Sequence, residues 1–101
     1  MDIGFDLLKK HLESPYPTGY SGVEIKGIDL VMLAADAVGC TTTFYGRFGN
    51  VKELDSKHQN ILKQCRDGLI VVVEETDGYA KEYFQGLLTL ANIVLEEVAQ
   101  T

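Results

Sequence analysis

Hydrophobic positions recur at spacings of three and four along most of this chain, the signature of helices that bury one face. The longest run lies between Val51 and Thr76, where Leu54, His58, Ile61, Leu62, Cys65, Leu69, Val72 and Val73 keep a single phase. At about 100° per residue these side chains fall within an arc of roughly 120°. The phase passes unbroken through Asp67-Gly68, so the pattern predicts one long amphipathic helix over 51–76.

Two more long helices follow from the same periodicity. Ser21-Gly22-Val23-Glu24 reads as a capping box opening a helix that runs to about Arg47. One face of it carries Val23, Gly27, Leu30, Val31, Ala34, Ala37, Val38, Thr41, Phe44 and Tyr45. Thr76-Asp77-Gly78 makes a turn in which Asp77 caps a last helix, striped by Ala80, Tyr83, Phe84, Leu87, Leu88, Ala91, Val94, Leu95 and Val98. A short first helix, capped by Asp2, ends where Ser14-Pro15-Tyr16-Pro17-Thr18-Gly19 forbids continuation. Long helices joined by tight turns run up and down. The fold expected is therefore an all-α, antiparallel up-down bundle of three long helices plus one short N-terminal helix, a single domain over 1–101.

A rival reading competes with it. Lys63, Arg66 and Asp67-Gly68 resemble a helix C-terminus, and Ile70 to Val73 are four successive β-branched residues. With Thr41-Thr42-Thr43-Phe44-Tyr45 as a second strand, an α/β chain with a β-α-β unit at 41–75 results. Against it, a strand over 69–75 has no reason to keep the helical phase of 51–66. Val23-Glu24-Ile25-Lys26 is also a poor third strand.

Composition narrows the function only by exclusion. With 15 acidic and 9 basic residues the formal charge is −6, which disfavours nucleic acid, where Lys and Arg must neutralise phosphates. Two cysteines, Cys40 and Cys65, are too few for a disulfide framework and sit among apolar neighbours. No apolar run approaches the roughly 20 residues of a membrane span, and Met1-Asp2-Ile3-Gly4 lacks the regions of a signal peptide. A cytoplasmic protein without a membrane partner is expected.

Candidate chemistry is sparse. Asp55, His58 and Cys65 are metal-ligand types near one helical face, but His58 lies between Leu54 and Ile61 on the core stripe. The acidic pairs Glu74-Glu75 and Glu96-Glu97, with Asp77 and Glu82, match only half of the carboxylate pattern of a helical, metal-dependent nucleotide hydrolase, and solvated helix ends explain them. No catalytic residues, metal site or cofactor are expected. Two other features carry more. Ile28, Met32 and Leu33 form a second apolar strip beside Asp29 and Asp36, which suggests an interface between copies of the chain or with another protein. Tyr20, Tyr45 and Tyr83, with Phe48, gather near helix ends and turns and offer a second possibility, an aromatic pocket for a small ligand. A homo-oligomeric interaction module is the leading expectation.

Overall fold

In the computed structural model, which describes residues 2–100, four helices pack against one another and a two-stranded hairpin joins the first to the second. The terminal residues Met1 and Thr101, which belong to the expected domain and leader readings, lie outside the described residues. The helices are α1 (Ile3–Glu13), α2 (Leu30–Tyr45), α3 (Ser56–Glu75) and α4 (Gly78–Ala99). The strands are β1 (Glu24–Ile25) and β2 (Ile28–Asp29). The fold is the all-α bundle that the periodicity predicts, and the β-α-β alternative is absent, since Thr41–Tyr45 and Leu69–Val73 are both helical.

Local chemistry sets most of the helix ends. Asp2 accepts the Phe5 N–H at 3.1 Å and caps α1, which stops at Ser14 immediately before Pro15. Asp55 accepts the His58 N–H at 2.8 Å and starts α3 at Ser56. The expected start at Val51 is therefore five residues too early, although Leu54 is buried even within the connection. Asp77 holds the N-cap position of α4 without a side-chain hydrogen bond.

The largest correction concerns the second helix. It begins at Leu30, capped by Asp29, whose carboxylate accepts the Met32 N–H at 3.1 Å. The Ser21–Glu24 capping box does not form, because 21–29 makes a turn and the hairpin, and Glu24–Ile25, dismissed as a strand from sequence, is one. Lys26 (φ 52°) and Gly27 (φ 81°) both take left-handed backbone between the paired Ile25 and Ile28. Two such residues make the tight hairpin turn whose twist suits antiparallel strands, and glycine enters it without steric cost. At the other end Gly46 (φ 71°) closes α2, its N–H donating to the Thr42 carbonyl at 2.9 Å.

α3 runs through Asp67-Gly68 because the glycine serves packing rather than termination. A Cβ at Gly68 would lie 3.2 Å from Cδ1 of Leu33, so its absence creates the notch in which that side chain sits. The acidic end of α3, unfavourable for the helix dipole, is relieved where Lys26 of the hairpin turn reaches Glu75 at 2.9 Å.

One contiguous core includes Leu30, Phe44, Leu62, Leu69, Phe84 and Leu87, from all three long helices. α4 packs along α3 and touches α1 and α2, and α1 lies against α4 and α2. Leu8 of α1 enters the core, and the Tyr45 hydroxyl presses so closely on Gly4 that a Cβ there would overlap it. Lys52, in the connection after α2, reaches Asp2 at 2.7 Å and Glu97 at 3.8 Å, tying the start of α1 to the end of α4.

Candidate functional site

Among the 16 residues of α2, only Asp36 carries a formal charge. The other helices place several charges each on their outer faces, for example Lys9 and Glu13 on α1, Lys63 and Asp67 on α3, and Lys81 and Glu82 on α4. The α2 residues open to solvent are Val31, Met32, Ala35, Asp36, Gly39, Thr42 and Thr43. Helical geometry at 100° per residue gathers them into an arc of about 140°, with Asp36 at one edge and Val31 at the other. Met32 is 58% exposed, and space over Gly39 is open. An outer face with a single charge, at its edge, is unusual for a solvated helix and resembles the charge-depleted centre of a protein interface.

Beyond the Val31 edge the apolar surface continues onto α1. A shallow cleft of about 480 Å³ is lined by Leu12, Tyr16, Val31, Ala35 and Val38, with His11 and Tyr83 as its inner wall. The imidazole and phenol rings of that wall lie 4.5 Å apart. On their far side is a second cleft, about 540 Å³, between α1 and α4, lined by Leu7, His11, Tyr79, Tyr83 and Gly86. His11 is buried, its Nε2 has no hydrogen-bond partner, and burial pushes its pKa below 6.5.

The sequence-predicted interface residues separate into four placements. Met32 and Asp36 lie on the open face, Asp29 is exposed but occupied as the α2 cap, and Ile28 is half-buried in β2. Leu33 is only 8% exposed and belongs to the core against Gly68. The expected strip of Ile28, Met32 and Leu33 is thus not continuous, because α2 starts later than expected and Leu33 turns toward α3. Of the residues that replace it, Val31 had been assigned to the buried stripe with Leu30 and Ala34 but is 42% exposed, and Ala35, Gly39 and Thr42 escaped notice although a nearly chargeless stretch from Leu30 to Gly46 was visible in the sequence.

The aromatic candidates do not converge either. Tyr45 is fully buried, packed on Phe44 and Phe5, and burial together with Asp2 and Glu97 pushes its pKa up. Phe48 is 75% exposed beneath the Arg47 guanidinium, whose carbon lies 5.6 Å from the ring centroid. Tyr20 is half-buried, and its carbonyl accepts the Tyr16 hydroxyl at 3.1 Å. Of these four only Tyr83 borders the two clefts beside α1, in a cluster with His11, Tyr16, Tyr79 and Phe84.

The remaining polar candidates have structural partners. The Asp55 carboxylate accepts both the His58 N–H and a contact from His58 Nδ1 at 2.7 Å, and the first of these holds its pKa down. Cys65 is buried, and desolvation raises its pKa to about 12, while burial also raises that of Cys40. Both thiols are free and poorly nucleophilic. Among the described residues no group of three or more His, Cys, Asp or Glu could hold a metal ion, and no helix is long and apolar enough to cross a membrane. No family model, curated protein or solved structure matches the chain.

Proposed function

We propose that this protein is an interaction module that works by self-association, with the outer face of α2 as its contact surface. The observation carrying this reading is the single charge of α2, set against helices that are otherwise ordinarily charged outside. Solvated helices carry charge because water rewards it; a face that forgoes charge and shows Val31 and Met32 gains most when another surface covers it. The small side chains of Ala35, Gly39, Thr42 and Thr43 add the possibility of close helix approach. The net charge of −6 fits a protein partner better than a nucleic acid, and free Cys40 and Cys65 fit a reducing compartment such as the cytoplasm.

Sedimentation velocity over a concentration series tests the reading. The wild-type chain is expected to self-associate at micromolar concentration, and Met32→Asp to weaken that association at least roughly tenfold by placing a charge in the contact. Helix content by circular dichroism should not change, since Met32 touches solvent rather than core. A strict monomer at the highest concentration reached would defeat the proposal.

A small-ligand reading draws on one observation, the unpartnered, buried His11 beside Tyr83 between the two clefts of α1. It ranks second because the other aromatic residues expected to line such a pocket lie elsewhere.

A further inference from the structure

The cleft between α1 and α4 is made by two rows spaced by four and three residues: Leu7, His11 and Ser14 on one side, Tyr79, Tyr83 and Gly86 on the other. Two of its walls are fixed in place. The Tyr79 hydroxyl donates to the Pro15 carbonyl at 2.6 Å, and Phe84 and Tyr16 meet the Tyr83 ring edge-on, with centroids 5.3 and 5.5 Å away. The floor is a glycine inside a helix, where glycine weakens the backbone. At Gly68 the missing Cβ makes room for Leu33, but at Gly86 no side chain of the described residues takes the space. A Cβ there would meet His11 Nδ1 at 3.8 Å and no other atom outside its own helix within 4 Å. His11 itself is 8% exposed, and its Nε2 has no hydrogen-bond partner. Nδ1, above Gly86, is thus the ring's opening to one, and a buried polar ring left unsatisfied is costly.

Chemistry selects the occupant. Lys10 and Glu82, the charged side chains at this cleft, are exposed and opposite in sign, and burial favours the neutral imidazole, so no net charge is offered to an ion. The rings of Tyr79 and Tyr83, with Leu7, suit a flat apolar body. A hydroxyl suits the imidazole in either tautomer, because it both donates and accepts. We infer that the cleft between α1 and α4 binds a small neutral aromatic molecule of the phenol class, its ring against Tyr79, Tyr83 and Leu7 and its hydroxyl hydrogen-bonded to His11 Nδ1. The volume of about 540 Å³ lies within the range of small-molecule sites. No α2 residue lines the cleft, so the site is separate from the self-association surface. The inference rests on the ligand reading above and gives it a place and a chemistry.

Phenol itself is the probe, with benzoate and benzylammonium as charged counterparts, each titrated to millimolar concentration and followed by backbone amide NMR. Phenol is expected to shift the amides of His11, Tyr83 and Gly86 with a dissociation constant of about a millimolar, and to bind more tightly than either ion. Gly86→Ala should weaken phenol binding roughly tenfold, because its methyl takes the place of the hydroxyl over Nδ1. Its melting temperature should hold or rise, since alanine is the better helix former. Shifts centred on Leu12, Val31 and Val38 of the neighbouring cleft, or an undiminished affinity in Gly86→Ala, would overturn the placement. Binding of an ion in preference to phenol beside His11 would overturn the phenol class and leave the ligand reading standing. No shift near His11 with any of the probes would overturn both.

Discussion

His11 shows how one side chain can make docking of a helix depend on pH. Its ring is packed on Tyr83, its Nε2 has no partner, and burial alone accounts for its lowered pKa. The charged groups bordering the two clefts beside it are Lys10 on its own helix and Glu82 on α4, with the phenols of Tyr16, Tyr79 and Tyr83; α2 contributes only apolar side chains. Because the folded pKa lies below the unfolded 6.5, the unfolded chain binds more protons in this range. Stability is therefore full above pH 6.5 and falls as pH drops through that value, until His11 protonates in the folded state as well. His11→Phe keeps an aromatic ring against Tyr83 and removes the titration. Its melting temperature should stay nearly level between pH 7.5 and 5.5, where the wild type declines. Equal slopes for the two proteins would remove His11 as the source.

At the level of elements, α3 illustrates both the reach and the failure of sequence reading. Its phase survived Asp67-Gly68 because the helix continues, while the glycine, which looks like a terminator, is a notch for Leu33. Gly68→Ala should therefore change stability by less than about 0.5 kcal/mol. Alanine gains nearly 1 kcal/mol of helix propensity, and Leu33 must yield a few tenths of an ångström in return. A loss well above 1 kcal/mol on chemical denaturation would contradict the notch. The helix stripes were legible since periodicity reports burial directly, and the caps Asp2 and Asp77 were legible from their place before each stripe. The start of α2 was not, because Ser21–Glu24 imitates a capping box and the left-handed turn at Lys26-Gly27 leaves no periodic trace in so short a hairpin. That error carried into the candidate surface: Met32 and Asp36 do lie on the open face, but Ile28 was placed on a helix and Leu33, a core residue, was placed outside. The aromatic residues misled for a different reason, since a tyrosine near a helix end has the same pattern whether it is buried like Tyr45 or borders a cleft like Tyr83.

Across the whole molecule, the three long helices share one core, while α1 lies on it between α4 and α2. It is fastened at its two ends by dissimilar means: Asp2 through Lys52 to Glu97, and His11 against Tyr83. Such a segment need not wait for global unfolding to come loose, since a cooperative unit with fewer buried contacts opens at lower free energy. Amide hydrogen exchange should accordingly divide the chain in two, with α1 exchanging through a partial opening and the central turns of α3 and α4 only when everything unfolds. Acidification below pH 6.5 should hasten the first class far more than the second. Uniform protection along all four helices would mean instead that the first eleven-residue helix is an integral wall rather than a hinged cover.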